Sequence, residues 1–121
     1  MKYANLYADM NGISHWKEID VDFDAIEFAP PAPPVHLSPF IPTKQYAFFK
    51  APIGWYGDWH TAPARQIFFF LEGELEVMAG DGEKRRFPPG AILCVENTFG
   101  QGHISRVLSD HPVLAAVAQL A

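Results

Sequence analysis

The sequence predicts an all-β domain, a small barrel or sandwich of short strands. Three observations carry this. Short runs of aromatic and β-branched residues recur along the chain, each closed by Gly, Pro or Asp at turn positions. Apolar residues make up 49% of the sequence and ten residues are Phe, enough material for a packed β interior. A chain of 121 residues holds one domain with a real core and is too short for two ordinary ones.

Residues 3 to 8 read as a short first strand and Asp9-Met10-Asn11-Gly12 as a turn. Ser14 to Phe23 then alternates in its second half, with Ile19, Val21 and Phe23 on one face and acids on the other. His15 reads as a surface or edge residue, although Ser14-His15-Trp16 would also suit a barrel mouth. Residues 25 to 42 hold six of the eleven prolines. Proline removes ladder donors, so this is an extended Pro-rich arm and not a central strand. Ile26, Phe28, Val35, Leu37, Phe40 and Ile41 make the arm too apolar for a solvated tether. It is expected to pack over the barrel or over a second subunit, and His36 within it has no role. Residues 1–44 are thus N-terminal strands and arm, and residues 45–121 the barrel, in one domain overall.

Gln45 to Lys50 reads as a strand with Tyr46 and Phe48 on one face and Ala47 and Phe49 on the other. Ala51 to His60 is a Gly- and aromatic-rich loop whose Trp55 and Trp59 either wall a ligand pocket or cap the barrel end. Arg65 to Met78 is a long apolar run broken by Gly73, and Ala79-Gly80-Asp81-Gly82 is a hairpin turn. Lys84-Arg85-Arg86 reads as a solvated edge strand guarded by charge. After a corner at Pro88-Pro89-Gly90, Ala91 to Glu96 is a short strand and Asn97 to Gly102 a turn. His103 to Leu108 is the next strand. His111 lies exposed in the turn after it, and Val113 to Leu120 closes the chain as a strand whose alanines would also tolerate a helix.

Composition excludes several function classes. A net charge of −5 gives no electrostatic footprint for nucleic acid. No stretch has the length of a membrane span, and the first residues lack a signal-peptide pattern. With a single cysteine, Cys94, no internal disulfide forms, and a cytoplasmic location is expected. Cys94 sits in an apolar run, as a buried structural thiol would. No Ser-His-Asp order, P-loop, dinucleotide fingerprint or HExxH pattern is present.

Two motifs carry a resemblance. Gly54, five residues, His60-x-Ala62, three residues, Gln66, six residues and Gly73 form the first. Gly82, five residues, Pro88-x-Gly90, two residues, Leu93, three residues and Asn97 form the second. Over roughly residues 45 to 118 this resembles the cupin superfamily, jelly-roll barrels also called double-stranded β-helices. In that family the positions of Ala62 and Leu93 are His and that of Gln66 is Glu. Of the family's metal-ligand set, three His and one Glu, only His60 stands here. The resemblance also implies a homodimer, since many cupins lend an N-terminal strand to a partner. It places the face carrying Gln66, Phe68 and Phe70 inside the barrel.

His60 and Gln66 should then approach each other near the barrel centre. A hairpin through Asn97 to Gly102 would bring His103 beside the Leu93 region, where it would replace the missing His of the second motif. The expected ligand-binding set is Tyr46, Phe48, Trp59, His60, Gln66, Phe68, Phe70 and His103. His60, Gln66 and His103 are the candidate ligands for a divalent metal such as Fe, Mn, Ni or Zn. They form a poor metal site, because two imidazoles and a neutral amide bring no anionic charge. Glu96 would add a carboxylate if it turned inward. Arg65 and Arg106 would suit an anionic ligand, but both alternate away from the inner face. The leading expectation is a protein that binds a small molecule in the barrel pocket. The alternative is a metal-dependent oxygenase, isomerase or lyase acting on a small carbonyl or carboxylate metabolite. A ligand-sensing domain of a regulator is disfavoured, since no DNA-binding helix pair precedes the barrel.

Overall fold

The computed structural model describes residues 1–121. The strands are β1 (Lys2–Ala8), β2 (Ser14–Asp20), β3 (Asp24–Ile26), β4 (Val35–Leu37), β5 (Thr43–Ala51) and β6 (Tyr56–His60). They continue with β7 (Gln66–Glu72), β8 (Leu75–Met78), β9 (Lys84–Phe87), β10 (Ile92–Val95), β11 (His103–Val107) and β12 (Val113–Leu120). A six-stranded sheet has the order β2-β1-β10-β7-β12-β5, and a four-stranded sheet has the order β6-β11-β8-β9. The core lies between them, built from residues such as Leu6, Phe70, Val77, Leu93 and Val113. No helix long and apolar enough to cross a membrane is present.

The N-terminal strands belong to the barrel. β1 runs parallel to β10, with Asn5 opposite Cys94, and antiparallel to β2. The strand expected to reach Phe23 stops at Asp20 instead, opposite Lys2 at the start of its partner, with one further backbone hydrogen bond from Val21 N–H to the Met1 carbonyl oxygen. Within the Pro-rich segment, β3 and β4 pair with each other in a small sheet of their own. Part of the expected loop before His60 is the strand β6, paired with β11. The charged β9 is an edge strand, as Lys84-Arg85-Arg86 suggested.

Gly73 is where the chain leaves the larger sheet for the smaller one. Its φ is +73°, a conformation that glycine adopts without steric cost. A Cβ there would come within 2.7 Å of the Pro112 carbonyl oxygen and 2.9 Å of Val113 Cα, both backbone atoms that cannot swing aside. Replacing Gly73 with Val should therefore cost roughly 3 kcal/mol or more, combining left-handed strain with overlap. Urea unfolding measures this, and an unchanged midpoint would contradict the placement of the crossing.

Candidate functional site

Between the two sheets lies a cavity of about 310 Å³. Its walls are aromatic and aliphatic. Phe68 and Phe70 enter from β7, stacked at 6.1 Å, and Phe49 from β5 meets Phe68 edge-on at 5.5 Å. Trp55 closes the wall against Phe49. Only His60, Gln66, His103 and Ser105 bring polar side chains to it, and no charged residue lines it.

β11 pairs with β6 so that His103 stands opposite His60, and the two ring centroids lie 4.3 Å apart. Gly102 permits this approach. Its φ is +89°, and a Cβ on it would overlap the His60 carbonyl. The Gly-His sequence is thus a local requirement of the close pair.

Each imidazole is fixed by its Nδ1. That of His60 donates to the Asp58 carbonyl oxygen at 2.6 Å, leaving Nε2 as a free acceptor. That of His103 lies 2.7 Å from Asn97 Nδ2, and Asn97 is fully buried. Asn97 Oδ1 has no partner. As placed, the amide presents its NH₂ to the ring nitrogen. The network therefore assigns Asn97 as donor and His103 Nδ1 as acceptor, so that His103 carries its proton on Nε2. The free nitrogens of the pair are then one donor and one acceptor. His103 is only 5% exposed. Burial, with a smaller contribution from His60, pushes its pKa down to about 4.

The remaining expected site residues divide. Gln66 is buried and lines the cavity, its Oε1 accepting from Gln119 Nε2 at 3.3 Å, so its NH₂ is the end left over. Phe68 and Phe70 face inward as expected. Tyr46 and Phe48 do not: they are 76% and 71% exposed on the outer face, and Phe49 takes the inner position. Alternation had separated the two sets correctly but could not say which faced in, because both carry aromatics. Trp59 is also directed outward, 39% exposed, while Trp55 lines the cavity. His103 does not pair beside Leu93, because the turn after β10 carries the chain across to the other sheet. The two residues meet only as walls of one cavity.

Charged candidates lie elsewhere. Arg65 pairs with Glu96 at 2.8 Å, and Glu96 also accepts from Asn5 at 2.6 Å. Burial opposes ionisation of Glu96, but these hydrogen bonds win and hold its pKa below the usual value. Arg106 pairs with Glu76 at 2.8 Å. His15 is held between Asp9 and Asp81 at 2.7 and 2.9 Å, and both hydrogen bonds raise its pKa. Burial pushes the Cys94 thiol up to about 11, so it is no nucleophile at neutral pH.

No family model matches the chain, and no curated protein sequence does. Among solved structures, the cupin domain of Schizosaccharomyces pombe Cnp3 superposes with a TM-score of 0.50 at 12% identity, covering 99% of this chain and 88% of that one. The chain has the cupin fold. Two further similar structures are protein NMB1881 of Neisseria meningitidis (TM-score 0.45, 20% identity, 63% of this chain and 72% of that one) and a candidate ethanolamine utilization protein Q of Salmonella typhimurium (TM-score 0.43, 15% identity, 99% and 95%).

Within this cupin barrel, His60, Ala62, Gln66 and Leu93 all line the same cavity, so the two motifs are in register with the fold. Their donor set does not fit a resident divalent metal. Ala62 and Leu93 offer no lone pair, the Gln66 carbonyl is engaged by Gln119, and His103 presents N–H to the cavity. No group of three or more His, Cys, Asp or Glu residues in the chain is arranged to hold a metal ion. Sequence reasoning missed Phe49 and Ser105 as walls, left Trp55 open between pocket wall and barrel cap, and gave Asn97 no part in the site. The signal for Asn97 was available, since it ends the second motif a single turn before His103.

The buried imidazole has a consequence for stability. Its pKa is about 4 in the fold against an ordinary 6.5 in the unfolded chain, so the unfolded state binds more protons between those values. Stability from this group is complete above about pH 6.5 and falls as pH drops toward 4, by about 3 kcal/mol in all. Urea titrations at pH 7 and about pH 4.5 should show a larger acid loss for the native sequence than for His103→Gln. Equal losses would contradict the neutral, buried state.

Proposed function

We propose that the protein binds a compact, uncharged, largely apolar small molecule inside the barrel, held at one end by a carbonyl or hydroxyl group. One observation carries this reading: an apolar cavity with no charged wall offers His103 Nε2–H as donor beside His60 Nε2 as acceptor. A hydroxyl can satisfy both nitrogens, and a carbonyl oxygen can accept from His103. A carboxylate would meet no cation, because Arg65 and Arg106 are engaged with Glu96 and Glu76, and burying it unpaired is costly. The volume of about 310 Å³ lies at the small end of ligand pockets, which favours a compact ligand.

Binding is favoured over proton transfer. A base whose pKa is held near 4 is poorly matched to acid–base work at neutral pH. The close His pair is the one feature that favours the second reading, a metal-dependent cupin enzyme, and the donor set around it argues against that reading.

A thermal-shift screen pairing neutral aromatic alcohols, ketones and amides with carboxylates of the same skeleton tests the proposal. Neutral members at saturating concentration should raise Tm by several degrees, and His60→Ala and His103→Ala should each remove the shift. A preference for carboxylates would contradict it. One metal per chain by elemental analysis, lost in His60→Ala, would transfer the assignment to the metal enzyme.

A further inference from the structure

Three of the four polar side chains that line the barrel cavity are held by hydrogen bonds. His60 is fixed by the Asp58 carbonyl, His103 by Asn97 and Gln66 by Gln119. Ser105 is the exception. It is 5% exposed and lines the cavity, yet its hydroxyl makes no hydrogen bond with any group of the chain. A buried hydroxyl without a partner is costly, and native interiors leave few of them.

Strand pairing explains its isolation. Ser105 stands opposite Val77 on β8 and Gly57 on β6, and neither neighbour has a polar side-chain atom. Position 57 has no room for a polar side chain, because a Cβ there would come within 2.8 Å of the Trp55 ring and 3.0 Å of His60 Cε1. What remains within reach of the hydroxyl is the content of the cavity.

Ser105 is also set apart from the His pair. From His103 to Ser105 the facing strand β6 advances three residues, from His60 to Gly57. The extra residue therefore belongs to β6, and β11 keeps its alternation, with both side chains on the cavity face. Two residues along a strand span about 7 Å. A ligand that fills the cavity thus meets polar groups at two places on this wall. The Ser105 hydroxyl both donates and accepts, so it suits an alcohol or a carbonyl at the second place.

We infer that the cavity takes a bifunctional ligand, a compact neutral molecule with one oxygen function at the His60–His103 pair and a second at Ser105. This rests on the neutral-ligand reading of the cavity. Ser105 is then the residue that selects against analogues with a single oxygen function, because such a ligand leaves the hydroxyl dry and unpaired.

Two isosteres test it, para-benzenedimethanol and para-ethylbenzyl alcohol, which differ only by a hydroxyl in place of a methyl group. Titration calorimetry on the native chain should show the diol preferred by about tenfold, and Ser105→Ala should abolish or reverse that preference. Without ligand, Ser105→Ala should unfold in urea at the native midpoint or above it, since an unpaired hydroxyl contributes nothing to the fold. A markedly lower midpoint would overturn the inference, because the hydroxyl would then be serving the fold. Equal native affinity for the two alcohols, with both lost in His103→Ala, would also overturn it and leave the neutral-ligand reading standing. If neither alcohol binds the native chain, that reading and this inference fail together.

Discussion

The site depends on a single hydrogen bond in a dry interior, from the Asn97 amide to His103 Nδ1 at 2.7 Å. It fixes where the proton of a buried imidazole resides. With Nδ1 occupied as an acceptor, His103 must show N–H toward the cavity, and burial keeps it neutral. The Asp58 carbonyl imposes the opposite form on His60. Two chemically identical side chains thereby acquire opposite roles, and the backbone contact at Gly102 brings them together.

The same logic separates this barrel from a metal centre. An imidazole that binds metal through Nε2 must carry its proton on Nδ1, and that proton needs an acceptor. His60 meets that condition, but His103 does not while Asn97 donates to it. The rest of the wall agrees. Ala62 and Leu93 occupy positions where the family places imidazoles, and the aromatic side chains around them fill the space with apolar surface. Fold and chemistry are therefore separable here, as in other widely reused barrels.

Much of the fold was legible because turns are specified locally. Gly73, Asp81-Gly82 and Pro88-Pro89-Gly90 need particular backbone angles and mark the ends of β7, β8 and β9. Which strands pair was less legible. Nothing local to Lys2–Ala8 says that it lies parallel to Ile92–Val95, since that pairing is decided by the packing of the whole barrel. At the site, Gln66, Phe68 and Phe70 could be oriented by the motif spacing. Tyr46 and Phe48 were assigned to the wrong side because β5 is aromatic on both faces, so its alternation contains no polar contrast. That lack of contrast has a physical meaning in the present structure, where the outer aromatics face solvent beside an uncovered groove.

The proton positions on the two imidazoles test the central claim most directly. A two-bond nitrogen–proton correlation spectrum of ¹⁵N-labelled protein at pH 7, assigned with His60 and His103 variants, reads them without any ligand. The expected result is His103 neutral with its proton on Nε2 and His60 carrying a proton on Nδ1. A charged His103 would contradict the donor–acceptor cavity, and a neutral one protonated on Nδ1 would contradict it and return the barrel to the metal-binding reading.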